Sequence, residues 1–310
     1  MPFDLSEFKR PRQDARMTRL LLAPLANLLE PFIPSPRPFA VSCHELKVRG
    51  LKSPLTLVQL SDLHLSPLLK PESVAAWVDA SNAQAPDLIL ISGDILDYRA
   101  RGLEDASLAE LGRLSAPLGV WASWGNQDYL RSEAERRALH DKLTDLGVRV
   151  LVNEAVPLRD DLTLAGLDDL LQGDPELSFL KEPRDSATLL LGHSPDVLPL
   201  LPETLDLALF GHTHGGQIRL PLVGALKTSS KYGQRYLEGW QDGPPRAYVS
   251  RGLGTTGLPL RIGSGAELVV MRLIPVTQVR KRLIALHRVE ISDEEAAEAL
   301  RPFTDEELDF

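Results

Sequence analysis

Leu207-Ala208-Leu209-Phe210-Gly211-His212-Thr213-His214-Gly215-Gly216-Gln217 carries the chain from an apolar run into two histidines one residue apart, bracketed by glycines. A short run rich in Val, Ile and Leu reads as a strand buried on both faces. A polar cluster immediately after such a run lies where α/β sheets place their sites, beyond the carboxyl ends of the strands. Alternate residues of an extended segment point the same way, so His212 and His214 can face a common centre. The glycines let backbone come close and turn sharply where a side chain would obstruct a ligand.

Working outward, the pattern recurs. Val58-Gln59-Leu60 leads into Ser61-Asp62-Leu63-His64, and residues 88–91 lead into Ser92-Gly93-Asp94-Ile95-Leu96-Asp97. Residues 120–124 lead into Gly125-Asn126-Gln127-Asp128, and 189–191 into Gly192-His193-Ser194-Pro195-Asp196. Five strand ends thus deliver Asp, His, Asn and Gly toward one edge. Four of the seven histidines fall in these clusters, which makes coincidence a poor explanation. His44, His140 and His287 read instead as turn-formers or satisfied surface groups. Mixed carboxylate, imidazole and amide donors suit divalent ions such as manganese, iron or zinc.

The full set of apolar runs spans 55–60, 88–92, 120–124, 162–167, 187–191, 205–210, 247–250 and 268–273, with helical spacing at 73–84 and 132–146. That alternation predicts sheets covered by helices, a layered α/β sandwich. The expected organisation is an amphipathic segment and linker over 1–40, one catalytic domain over 41–276, and a helical appendage over 277–310. Residues 20–29 are apolar but about half the roughly 20 residues a spanning helix needs. Behind Arg16 and Arg19 they suit either a membrane surface or packing on the domain. Residues 34–38 read as an extended linker. In the tail, 279–289 is basic and 293–310 acidic, with a capped helix start at Ser292-Asp293-Glu294-Glu295.

A net charge of −9 argues against a general nucleic-acid binder. One cysteine, Cys43, excludes a disulfide framework and a thiolate zinc site, and reads as a small buried apolar residue.

In this order the phrases resemble the calcineurin-like metallophosphoesterase superfamily, over roughly residues 54–273. Its series Asp-x-His, Gly-Asp-x-x-Asp, Gly-Asn-His-Asp, Gly-His and Gly-His-x-His is met here with one exception. The form Gly-His-Thr-His-Gly-Gly-Gln, with Arg251-Gly252-Leu253-Gly254 downstream, is most similar to a bacterial branch of membrane-associated phosphodiesterases that includes UDP-diacylglucosamine hydrolases. The resemblance implies a four-layer α/β/β/α sandwich and two divalent metal ions, manganese first, with iron or zinc as alternatives. Asp62, His64 and His214 would ligate one ion; Asn126, His193 and His212 the other; Asp94 would bridge. Water activated between the ions would attack phosphorus in line, with no covalent protein intermediate. Asp97 and Asp128 would orient ligands.

The exception is Gln127, where the family has a histidine that protonates the leaving group. Glutamine donates a hydrogen bond but transfers no proton at neutral pH. The expected catalytic set is therefore Asp94, Asn126, Gln127 and Asp128, with turnover rather than metal binding in question. Arg219, Arg251 and Arg261 are the candidates for holding phosphate oxygens. Residues 220–224 and 254–260 would either line an apolar approach for a lipid chain or pack as ordinary loops. The expected activity is hydrolysis of a phosphodiester or pyrophosphate bond on a lipid-linked or nucleotide-linked substrate. Its alternative is a catalytically weak metal-binding scaffold. The expected location is the cytoplasm, peripheral on the inner membrane face through residues 12–33.

Overall fold

The computed structural model describes residues 5–9, 24–25, 28–29, 32–97, 100, 106–182 and 184–276. The expected tail helix, His287 and most of the amphipathic segment lie outside these residues.

Two six-stranded sheets face each other. The first has the order β1 (Phe39–Val48), β14 (Ala266–Pro275), β2 (Leu55–Leu60), β3 (Leu88–Ser92), β4 (Val120–Ser123), β5 (Val148–Val150). The second runs β12 (Gly239–Gln241), β13 (Ala247–Val249), β9 (Leu207–Phe210), β8 (Ala187–Leu191), β7 (Leu162–Gly166), β6 (Glu154–Arg159). A two-stranded hairpin, β10 (Arg219–Leu220) with β11 (Gly224–Ala225), follows β9. In the first sheet β2 through β5 are parallel, and in the second β7, β8, β9 and β13 are. Parallel strands are buried on both faces, which is why 88–92 and 187–191 are apolar throughout rather than alternating.

Each strand splits its side chains between two cores. Leu55, Leu57, Leu88 and Leu90 meet Leu162, Leu164, Leu189, Leu191, Leu207 and Leu209 between the sheets. Val58, Leu60, Ile89 and Ile91 turn outward onto Trp77 and Val78 of α1 (Pro71–Asn82) and onto Leu139 and Leu143 of α3 (Glu133–Asp145). The short α2 (Ala106–Glu110) adds Leu108 to the same layer. Glu135 and Ser132 cap α3 reciprocally as a capping box.

The outer face of the second sheet differs from the expected helical layer. Among the described residues it is covered by 3-10 turns at Ser178–Lys181 and Pro195–Leu200 and by the N-terminal turn Leu5–Phe8, which seats Phe8. Pro199 keeps the Pro195–Leu200 turn from continuing as an α-helix, because proline inside a helix removes a hydrogen bond and clashes with the preceding turn. The result remains an α/β sandwich.

Three local expectations change. β1 begins at Phe39, before the boundary at 41, and Arg37 is not part of a free linker. Its guanidinium donates to Thr255 Oγ1 at 2.9 Å and to the Leu68 carbonyl at 2.8 Å. Cys43 is exposed rather than buried. β1 is an edge strand whose Leu46 and Val48 face inward, so the alternate positions, Cys43 among them, face solvent. His44 is neither a turn-former nor a surface group: it is half-buried against Tyr248 and Trp240, with Nε2 3.1 Å from the Tyr248 hydroxyl.

Candidate metal centre

The parallel strands of both sheets end at one rim, and the loops leaving them are bonded to one another. Past β2 and β3 the backbone pairing continues: Asp62 N donates to Gly93 O at 3.2 Å and His64 N to Asp94 O at 3.0 Å. Gly211 N donates to His193 O at 3.0 Å, and Gly254 N to Asp62 O at 2.8 Å, closing the ring across the sheets. Gln59 ties the sheets directly, its Nε2 donating to Ser92 Oγ and to the Phe210 carbonyl, both at 2.9 Å.

This crossing of loops needs unusual backbone. Asp62, His64, Asp94, His212 and His214 have φ of 50, 46, 50, 71 and 54°. That left-handed region is sparsely used by non-glycine residues, and five such positions at one rim mark strain held for a purpose. The flanking glycines are equally constrained. A Cβ on Gly125 would sit 2.3 Å from Asp94 Oδ1, and one on Gly211 would sit 1.8 Å from Ser61 Oγ.

Two buried groups result, Asp62–His64–His214 and Asp94–His193–His212, each with its donor atoms within 4.8 Å of one another. His64 Nε2 lies 3.0 Å from His214 Nε2, and His214 Nε2 lies 3.3 Å from Asp62 Oδ1. His193 Nε2 lies 3.2 Å from His212 Nδ1 and 3.3 Å from Asp94 Oδ1. Bonds of about 2.1 Å to a cation place neighbouring ligands ~3.0 to ~3.4 Å apart in octahedral and tetrahedral geometry. Asp94 faces both groups, because its other oxygen, Oδ2, lies 3.4 Å from His64 Nε2.

The donor set fits divalent cations on further grounds. Asn126 Oδ1 is buried without a hydrogen-bond partner among the described residues. His193 Nδ1 faces the Ser92 carbonyl at 2.8 Å, and His212 Nε2 faces the Ser229 carbonyl at 3.0 Å. Each ring thereby donates outward and leaves its other nitrogen facing the centre. His64 Nδ1 points toward Asp97 Oδ2 at 3.7 Å.

The charges are tightly interlocked. Burial raises Asp62 above the usual carboxylate range, with His193 and His64 pulling it back. Burial also opposes ionisation of Asp94, but His193 and His64 outweigh it and hold that carboxyl well below the usual range. Burial works against a charged His193, yet Asp94 pushes it up to about 10. His214 is held well below its usual value by burial and then by neighbouring His64 and Arg261, which keeps it neutral.

Some expected site residues do other work. Asp128 faces no open space. Its carboxylate accepts from Gly125 N at 2.9 Å, Leu96 N at 3.1 Å and Ile95 N at 3.4 Å, stapling the β3 and β4 loops. Arg261 is spent on backbone: Nε and Nη2 reach Gly254 O, Nη1 reaches His214 O, and Nη2 reaches Arg251 O. It holds the His214 loop and has no donors left for phosphate. Arg219 pairs with Glu238, while Arg251 pairs with Glu267 at 3.4 Å. Gln127 is at the site, its backbone N donating to Asp94 Oδ1 at 2.8 Å and its Oε1 buried without a partner among the described residues. Sequence reading missed the Ser229 carbonyl, which no residue type announces, and Asp169, a buried carboxyl near His193 that burial and Asp94 raise to about 7.

These loops define a class. Residues 55–216 match the calcineurin-like phosphoesterase family, and the chain belongs to it. It is a hydrolase of phosphoesters dependent on divalent metal. Among its relatives is an uncharacterized metallophosphoesterase of Bacillus subtilis, YkuE, 38% identical over 70% of this chain and 78% of its own length. Cj0846 of Campylobacter jejuni is 30% identical over 74% of this chain, which spans 62% of that protein. The Escherichia coli protein named phosphodiesterase YaeI is 30% identical over 72% of this chain and 83% of its own.

Proposed function

We propose that the rim hydrolyses a phosphodiester or pyrophosphate bond with two divalent cations, manganese first and iron or zinc as alternatives. Asp62, His64 and His214 would hold one; Asn126, His193 and His212 the other; Asp94 would serve both. The observation that carries this reading is the division of Asp94, one oxygen toward each cluster. Bound divalent cations supply Lewis acidity toward phosphoryl oxygens and lower the pKa of a coordinated water.

The chain's own contribution is to fix where charge sits. Backbone donation from Gln127 and the outward bonds of His193 and His212 hold the ligands in place before substrate arrives. The sandwich core beneath the rim leaves these groups desolvated, which strengthens every interaction at the reacting bond. Gln127 then shapes the choice of substrate. Its amide can donate to a leaving oxygen but releases no proton. General acid catalysis contributes typically ~10²–10⁴-fold, so substrates whose leaving group needs no protonation are favoured. A nucleotide-linked or lipid-linked pyrophosphate fits this better than a sugar or glycerol alkoxide.

Asp94→Asn tests the reading. It should remove bound metal and hydrolysis of bis(p-nitrophenyl) phosphate together, and unchanged hydrolysis would contradict it. Bound metal with no turnover of any activated diester in the parent protein would instead favour the scaffold reading that Gln127 raises.

We also place the protein on the cytoplasmic side, touching the membrane peripherally through residues 12–33. No helix among the described residues is long and apolar enough to cross a membrane. Deleting 12–33 should lower the membrane-bound fraction in cells.

A further inference from the structure

The β10–β11 hairpin stands with both feet in the metal site. One foot leaves His214 through Gln217; the other runs to Ser229, whose carbonyl faces His212 Nε2 at 3.0 Å. Its base is fixed, with Arg219 N donating to Ile262 O at 2.7 Å and Leu226 N to Ile218 O at 3.1 Å.

The tip is apolar and bare. Leu222 is fully exposed at 108% and Val223 is 62% exposed, with Leu220, Leu226 and Ile262 at 40, 58 and 48% around them. Ten large apolar side chains among the described residues are exposed, and five of them lie in this one patch, so it is not the ordinary scatter of surface leucines. Leu222 also has φ 68°, a backbone state that glycine or asparagine adopts without strain. Folding alone gives no reason for a leucine that is both strained and wet. A partner that removes it from water does.

Charge indicates which partner. From Leu220 to Leu237 the sequence holds Lys227, Lys231 and Arg235 and no acidic residue, although the whole chain carries −9; Arg219 at the hairpin's base pairs with Glu238 and is not counted. Lys227, Lys231 and Arg235 are exposed. Lys231 also lies over the Phe8 ring at 4.3 Å, which seats the N-terminal turn against the same loop. A second copy of this chain would bury the leucines but would oppose two basic loops, and like charges across an interface are unfavourable. An anionic phospholipid surface satisfies both halves of the patch: apolar side chains enter the headgroup–acyl boundary and the cations face lipid phosphates.

We propose that the β10–β11 hairpin docks the protein on an anionic bilayer, with Leu222 and Val223 inserted and Lys227, Lys231 and Arg235 against the headgroups. This holds the mouth of the metal site at the membrane surface. It is a second contact, separate from residues 12–33, and it does not depend on which bond the site cleaves.

The test is sedimentation of the full chain with vesicles of phosphatidylcholine and phosphatidylglycerol, or of phosphatidylcholine alone. The protein should pellet with the anionic vesicles, and less so as salt rises. Leu222→Asp with Val223→Asp should weaken that binding at least about ten-fold. Lys227→Glu with Lys231→Glu should weaken it as well. Hydrolysis of soluble bis(p-nitrophenyl) phosphate, read in the same samples, should be equal in the parent and the Leu222/Val223 variant, which shows the variant is folded and keeps the two readings apart. Failure of the parent to bind anionic vesicles, or equal binding by the Leu222/Val223 variant, overturns the proposal. So does a dimer in light scattering that the variant dissociates, which would assign the patch to a second copy.

Discussion

Asp128→Asn separates a catalytic carboxylate from a structural one. The carboxylate takes three backbone N–H groups, with Oδ2 facing Gly125 and Ile95 and Oδ1 facing Leu96. An asparagine keeps the shape but has one acceptor. With its oxygen toward Gly125 and Ile95, its amide N–H₂ faces the Leu96 N–H, so one bond is lost and two buried donors oppose each other. An unsatisfied buried group costs about 1–3 kcal/mol. For a chain of this size that lowers the melting midpoint by roughly 2–10 °C. Gly125 adjoins Asn126, and Ile95 adjoins Asp94, so loosening the staple should also weaken manganese binding by about 10–100-fold. The assays are thermal melting, calorimetric manganese titration and turnover of an activated diester at saturating metal. Turnover at saturation should stay within about ten-fold of the parent. Unchanged melting and metal affinity with turnover down by ~10² or more would show that Asp128 works on substrate and refute the staple.

Other outcomes follow from the same geometry. Gln127→His should speed hydrolysis of diesters with alkoxide leaving groups by about 10²-fold or more and hardly change p-nitrophenyl esters; equal acceleration of both, or of neither, contradicts the missing-acid account. In the metal-free protein Asp169 is buried and raised to about 7 from 3.8, so its favourable contribution is present below 3.8 and lost as pH rises through 7. That displacement is worth about 4 kcal/mol. Asp169→Asn, which keeps an acceptor for Leu171 N and Gln172 N, should therefore flatten the fall in melting midpoint between pH 4 and pH 8, and an equally steep fall would refute it.

The parallel core was legible because strands buried on both faces write themselves as unbroken apolar runs: 88–92 and 187–191 match β3 and β8 residue for residue. β1 was not, because an edge strand alternates, and Phe-Ala-Val-Ser-Cys-His-Glu-Leu-Lys-Val shows no continuous run. β6 carries Pro157 at a sheet edge, which reads as a break. At the site, residue types and their spacing after strands pointed to the six residues that the loops carry into the two buried groups, Asp62–His64–His214 and Asp94–His193–His212. The roles of Asp128 and Arg261 were illegible because each also depends on backbone groups of another loop, Ile95 and Leu96 for Asp128 and His214 for Arg261. The hairpin's exposure was illegible for the same reason: Leu220-Pro221-Leu222-Val223 reads alike whether it is packed or bare.

A two-cation hydrolytic centre is read out by titrating the metal-free protein with Mn²⁺ while measuring bound metal and bis(p-nitrophenyl) phosphate hydrolysis in the same samples. Two ions should bind per chain, with turnover that rises with the second. One ion at saturation with full turnover, or no bound metal at all, would contradict it.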